Sequence, residues 1–171
     1  MTPSYLLAQA GPAPLVPLRL RPYQRRLKRT DPALHAMTDF LRDPPLTVPE
    51  TWRVEDAIDQ MFRLGVRAFL VVRDRQVIGL MTAQQAAARS AMHQQRVIEV
   101  MTPTDDAPAI DWSTLSESQI EDLLEIFDGT GVEHLVVIES HSATLNSVRG
   151  LVYKERLRRL TSPWALHQGL V

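Results

Sequence analysis

The sequence predicts an α/β protein, more fully α+β, built from two βαββα repeats, and three observations carry that prediction. One helical stretch occurs twice without gaps. Each copy is followed by two short apolar runs with a polar turn between them. A Met-Thr pair stands before each copy. The chain has 171 residues, 44% of them apolar, with 19 Lys and Arg against 20 Asp and Glu, which is the balance of a folded soluble chain.

Residues 1–33 read differently from the rest. They hold Pro3, Pro12, Pro14, Pro17, Pro22 and Pro32, which interrupt any long helix, and no alternating strand pattern replaces it. An extended or disordered arm is expected. Its basic residues, Arg19, Arg21, Arg25, Arg26, Lys28 and Arg29, stand with Tyr23 and a single acid, Asp31. They suit either contact with nucleic acid or an anionic membrane surface, or a solvated tail that folds back on the acidic remainder or does nothing. The second reading is preferred, so nucleic acid is not an expected partner. No Lys or Arg occurs between Arg96 and Arg149, whereas acids run from Glu99 to Glu139.

The first repeat is expected over 34–96 and the second over 97–162, with 163–171 as a tail. Met37-Thr38 and Met101-Thr102 each precede a brief strand, around Thr47-Val48 and Ala109-Ile110. The run from Val54 to Val66 then aligns with that from Ile120 to Val132. Apolar residues fall at i, i+3, i+4 and i+7 in both (Val54, Ala57, Ile58, Met61; Ile120, Leu123, Leu124, Phe127), one face of an amphipathic helix. A Glu-Asp pair near each start suits the positive end of the helix dipole, and Gly65 or Gly131 ends the helix. Phe69 to Val72 and Leu135 to Ile138 read as buried strands. Polar turns (Asp74-Arg75; Ser140 to Ser147) lead to second strands, Val77 to Met81 and Val148 to Val152. Final helices follow, from Ala83 to about Met92 with Ala83, Ala86 and Ala87 on one face, and from Tyr153 to Leu160. The second copy carries about four additional residues before its first helix, Asp111 to Leu115, and a longer hairpin loop.

Several chemistries are excluded. Without cysteine there is no disulfide, thiolate metal site or cysteine nucleophile. No apolar run approaches the roughly 18 residues of a membrane span, and Leu6-Leu7-Ala8 lacks the basic flank of a signal peptide, so the cytoplasm is the expected compartment. Gly129-Thr130-Gly131 lacks a third glycine and reads as a helix stop. His35, His93, His134, His141 and His167 show no metal-ligand spacing, and Asp105, Asp106 and Asp111 lack the pattern of a calcium loop. No nucleophile elbow exists. A non-catalytic protein is expected. Trp52, Trp112 and Trp164 stand at segment edges, where a core position is favoured over a cleft rim.

The order, spacing and duplication of these features resemble a tandem pair of cystathionine-β-synthase (CBS) domains, a Bateman module, over about residues 34–162. The matching residues are Met37-Thr38, Thr47-Val48-Pro49, Gly65-Val66 and Gly79-Leu80-Met81-Thr82, then Glu99-Val100-Met101-Thr102-Pro103, Gly131-Val132 and Gly150-Leu151-Val152. The resemblance implies two repeats packed through their sheets about a pseudo-two-fold axis, with two clefts, and modules that pair as dimers. It also implies regulatory binding of an adenosyl ligand such as AMP, ATP or S-adenosylmethionine, without a fixed cofactor, and a separate regulated enzyme or transporter. In that family a Thr or Ser after the last strand is followed three residues later by an Asp that bonds the ribose hydroxyls. Here Thr82 keeps the hydroxyl and Gln85 replaces the Asp, whereas Tyr153 and Arg156 replace both. A neutral amide forgoes a charge-assisted contact, about ten-fold in affinity. By resemblance the ligand-binding residues are Val48, Leu70, Thr82 and Gln85 in the first copy and His134, Tyr153 and Arg156 in the second. Arg156 either pairs with Glu155 or other acids, or joins Lys154 in an anion site. His134 either touches a ligand or is a satisfied, partly buried imidazole. The alternative function is a ligand-free dimerisation or scaffold module.

Overall fold

The structure is a computed structural model that describes residues 4–7, 26–88, 94–142 and 145–162. In chain order its first elements are β1 (Ser4–Leu7), a 3-10 turn (Ala33–Ala36), β2 (Thr38–Asp39), β3 (Thr47–Pro49), α1 (Val54–Leu64), β4 (Ala68–Arg73), β5 (Gln76–Thr82) and α2 (Ala83–Ala88). There follow α3 (Val97–Val100), β6 (Thr102–Pro103), β7 (Ala109–Asp111), α4 (Trp112–Glu117), α5 (Ile120–Thr130), β8 (His134–Ser142), β9 (Leu145–Tyr153) and α6 (Lys154–Thr161). The described residues form two compact units, one from 4–7, 44–107 and 140–148, the other from 26–43, 108–139 and 149–162.

In the first unit β3 runs parallel to β4, with Val48 opposite Val71, and β4 pairs antiparallel with β5, with Leu70 opposite Leu80. The β4–β5 hairpin turns at Asp74 and Arg75, both at positive φ (48° and 67°), as a two-residue turn matched to strand twist requires. α1 buries Val54, Ala57 and Met61 and ends at Gly65, whose φ of 63° lets the N–H groups of Gly65 and Val66 fold back onto the carbonyls of Phe62 and Met61. These side chains close on Val48, Phe69, Val71, Met81, Val97 and Val100 in one core. Ala83 is half-buried beside that core but Ala87 is exposed, so the alanine face expected of α2 is only partly covered.

In the second unit β7 runs parallel to β8, with Ile110 opposite Val137, and β9 lies beside β8. α5 repeats the α1 pattern with Ile120, Leu123 and Phe127 buried and a stop at Gly131, φ 70°. Leu115, Val152, Leu157 and Leu160 complete the core.

The arm expected over 1–33 is folded from Arg26 onward. Leu27 is only 8% exposed and joins the second core, and its N–H donates to the Leu160 carbonyl at 2.9 Å. The reason lies at α5. A helix start leaves its first N–H groups without intrahelical acceptors, and the carbonyls of Asp31 and Arg29 accept from Ile120 and Glu121 at 2.9 and 3.0 Å. Ser4–Leu7 is also a strand, running parallel to 145–148 of β9 and meeting β5 at Gln76. Tyr23 and Arg25 lie outside the described residues.

Three further differences concern local structure. The additional residues before α5, to which the sequence assigned no element, form most of helix α4, in which Leu115 is buried and the Ser116 hydroxyl donates to the Trp112 carbonyl at 2.6 Å. The polar turn expected over Ser140 to Ser147 is mostly strand. β1 supplies a ladder for β9, and His141 Nε2 lies 2.8 Å from Ser147 Oγ, so these polar residues need no apolar face to stay extended. The Met-Thr pairs also join strands of the repeat they do not precede: Thr102 pairs with Leu80 of β5, and Thr38 with Leu151 of β9. Repeats drawn along the chain as 34–96 and 97–162 therefore differ from the compact units at both ends. Trp52 is 36% exposed and not in the core. Trp112 is half-buried against the second core, and Trp164 lies outside the described residues.

Candidate functional site

Each unit has one strand-to-helix junction that gathers polar side chains. In the first unit it joins β5 to α2. Thr82 is the residue before the helix and Gln85 is the third residue within it, the S/T-x-x-E/Q spacing of a capping box. The Gln85 Oε1 accepts from the Thr82 N–H at 2.8 Å and from the Thr82 hydroxyl at 3.1 Å, while the Gln85 N–H donates to Thr82 Oγ1 at 3.2 Å. A backbone N–H only donates, so the amide oxygen must face Thr82, and the Gln85 NH2 then donates to Thr102 Oγ1. Leu70 and Leu80 are buried cross-strand partners, and strand alternation puts Leu80 and Thr82 on the face opposite Met81. Val48, by contrast, is buried in the core with Met81, so any approach to it is through its backbone on β3. Thr82, Gln85 and Leu70 thus share a neighbourhood that the Val48 side chain does not enter.

The junction of the second unit joins β9 to α6. Arg156 is again the third residue of the helix, and its NH1 donates to Thr38 Oγ1. Thr38 is the counterpart of Thr102, so two different side chains reach the same hydroxyl position in the two units. Lys154 does not join Arg156 in an anion site. Its Nζ donates to the Phe127 carbonyl at 3.0 Å and lies 3.7 Å from Asp128 Oδ1, where a cation meets the negative end of α5. Tyr153 is half-buried at the end of β9.

His134 opens β8, and its Nε2 is buried with no hydrogen-bond partner among the described residues, so it is not the satisfied imidazole weighed from the sequence. Burial pushes its pKa below the usual histidine range, opposed by the nearby Glu133 carboxylate. The unfolded chain therefore binds a proton that the folded chain resists. Stability is fully present above about pH 6.5, the ordinary histidine value, and is lost as pH falls through that value towards the lowered one. Denaturation midpoints measured from pH 7.5 to 5 should decline by up to about 1.4 kcal/mol per pH unit, less in His134→Gln. Equal slopes in the two proteins would show that His134 is not the cause.

One cluster had no signal in the sequence. Arg149 donates through Nε to Asp39 Oδ1 at 3.1 Å and through NH1 to Glu139 at 3.4 Å, with its guanidinium 4.4 Å from the centre of the Trp112 ring. It clamps β2, and with it Thr38, onto β9. Asp39 and Arg149 lie too far apart in the chain for spacing to reveal them.

The sequence profile described as the CBS domain matches residues 37–89. The structure is similar to an uncharacterised conserved protein of Pyrococcus horikoshii at 16% identity and a TM-score of 0.60, covering 85% of this chain and 98% of that one. Residues 37–89 are a CBS domain, and the chain has the fold of a CBS-domain pair. A second similar structure is CBSX2 in complex with AMP, at 17% identity and a TM-score of 0.56, covering 75% of this chain and 94% of that one. A third is the CBS domain of a bacterial CNNM/CorC family Mg2+ transporter in complex with ATP, at 15% identity and a TM-score of 0.55, covering 78% and 88%. No curated protein matches the chain in sequence. Within this CBS-pair fold the two junctions stand at corresponding places of the two repeats, and both depart from the Thr-to-Asp pattern. Among the described residues no helix is long and apolar enough to cross a membrane.

Proposed function

We propose that the chain is a non-catalytic regulatory module that senses an adenosyl ligand such as AMP, ATP or S-adenosylmethionine. The first junction supplies the Thr82 hydroxyl and the Gln85 amide, with Leu70 as apolar neighbour and the Val48 backbone at the strand edge. The second supplies His134, Tyr153 and Arg156. The single observation that carries this reading is the doubled junction, in which a polar side chain at the third helical residue and a threonine hydroxyl converge at the end of a buried strand. Such groups suit the hydroxyls and phosphates of a nucleotide. The AMP-bound and ATP-bound proteins of like fold add support. The ligand would act by favouring one arrangement of the protein over another, by no more than its difference in affinity for the two. The module would work in the cytoplasm as a homodimer, on a separate enzyme or transporter.

A second reading is a ligand-free dimerisation or scaffold unit. One observation favours it: Gln85 Oε1 already accepts two hydrogen bonds from Thr82, leaving no lone pair for a ribose hydroxyl. Thermal melting in millimolar AMP, ATP and S-adenosylmethionine separates the two. A sensor gains RT ln(1 + [L]/Kd), about 2.7 kcal/mol at a hundred times Kd, and its melting temperature rises. Gln85→Asp, which restores a charged acceptor, is expected to tighten binding roughly ten-fold. A flat response to all three ligands in both proteins would leave the scaffold reading standing.

A further inference from the structure

We infer that Gln85 ties the folding of α2 to the docking of β6, so that the two elements form and loosen as one. The argument begins with what each needs. β6 is two residues long, too short to hold itself by ladder bonds, and its place on β5 depends on Gly79. A Cβ at Gly79 would stand 2.6 Å from Met101 Sδ and 2.7 Å from the Thr102 carbonyl, so the Met-Thr pair sits in a groove that only glycine leaves open. α2 opens directly after β5, and the N–H groups of its first turn have no intrahelical acceptors. Its start is held by the reciprocal bonds between Thr82 and Gln85.

One amide serves both needs. Its oxygen closes the first turn of α2, and its NH2 reaches the Thr102 hydroxyl on β6, 17 residues further along the chain. Rotating the amide to release Thr102 also withdraws the oxygen from the Thr82 N–H, so neither contact breaks alone. The second unit has the docking contact without the cap. Arg156 donates to Thr38, and Gly150 leaves the same groove for Met37 and Thr38, but the start of α6 has no side-chain cap. The coupling therefore belongs to the first unit, whereas in the second Arg156 of α6 holds β2 without also capping its own helix.

Amide hydrogen exchange by mass spectrometry on the full chain, without nucleotide, tests the coupling. Thr102→Val keeps the shape of the side chain and removes the acceptor. It should speed exchange at 102–104, where the Thr104 N–H donates to Ile78, and also in α2, by about three- to ten-fold, the worth of one hydrogen bond. Gln85→Leu should do the same at both places. Gln85→Glu should restore protection at both, since a carboxylate accepts from the Thr82 N–H and from the Thr102 hydroxyl alike. Arg156→Leu should speed exchange at 38–40 and leave α6 unchanged. If Thr102→Val loosens 102–104 but not α2, or if Gln85→Glu rescues neither, the coupling is wrong. No nucleotide enters these measurements, so a failure of ligand binding leaves the result intact.

Discussion

Phe127→Ala is expected to lower stability by about 3–5 kcal/mol, whereas Phe62→Ala should change it by less than about 0.5 kcal/mol. Both residues sit late in an amphipathic helix of duplicated sequence, yet Phe127 is fully buried and Phe62 is 82% exposed. In the repeat alignment Phe127 corresponds to Met61, and Phe62 corresponds to Asp128, on the solvent side. Phe127 packs among Leu115, Leu123, Leu135 and Leu157, and its carbonyl accepts from Lys154. Removing the ring leaves a cavity lined by side chains fixed from several elements, which has little means of collapse. Chemical denaturation of the two variants is the measurement. Comparable losses would mean that Phe62 is covered in solution by something other than water.

Gly150→Ala is expected to cost at least about 1–3 kcal/mol and to detach β2 from β9. A Cβ there would lie 2.5 Å from the Thr38 carbonyl oxygen and 2.7 Å from Met37 Sδ. At Gly79 a Cβ would meet the same pair of groups, Met101 Sδ at 2.6 Å and the Thr102 carbonyl oxygen at 2.7 Å. A thioether can swing aside and a paired backbone carbonyl cannot, so the carbonyl decides at both positions, and the closer approach at Gly150 should make Gly150→Ala at least as damaging as Gly79→Ala. Faster proteolysis around residues 37–43 would accompany it. A wild-type denaturation midpoint for Gly150→Ala would mean that β2 does not occupy this groove.

Both predictions turn on what local pattern can and cannot specify. The i, i+3, i+4, i+7 spacing of Val54, Ala57, Ile58 and Met61, and its copy from Ile120, showed both helices and which face each buries. Gly65 and Gly131 marked their ends because positive φ after a helix is a local requirement that glycine meets most readily. The Asp74-Arg75 turn was legible for a related reason, since apolar strands two residues apart leave few other ways to reverse. Thr82 and Gln85 were singled out correctly as neighbours at the start of a helix, but as ligand contacts, and the mutual capping that three-residue spacing also allows was passed over.

What was missed involves residues distant in sequence. Leu27 reads as one apolar residue in a basic, proline-rich stretch, and only the unpaired N–H groups at the start of α5 draw its segment into the core. Polar Ser140 to Ser147 stays in strands because another strand, β1, pairs beside it. The pairing of Asp39 with Arg149 and of Thr38 with Arg156, and the groove at Gly150, join segments more than a hundred residues apart. Periodicity, helix stops and tight turns are set by interactions within a few residues, so the amino-acid order alone determined them. Which strand receives each Met-Thr pair, which glycine must lack a side chain, and which polar groups are consumed by one another depend on packing between distant segments. Those choices were made only when the chain closed, because burial forces every polar group to find a partner wherever one lies.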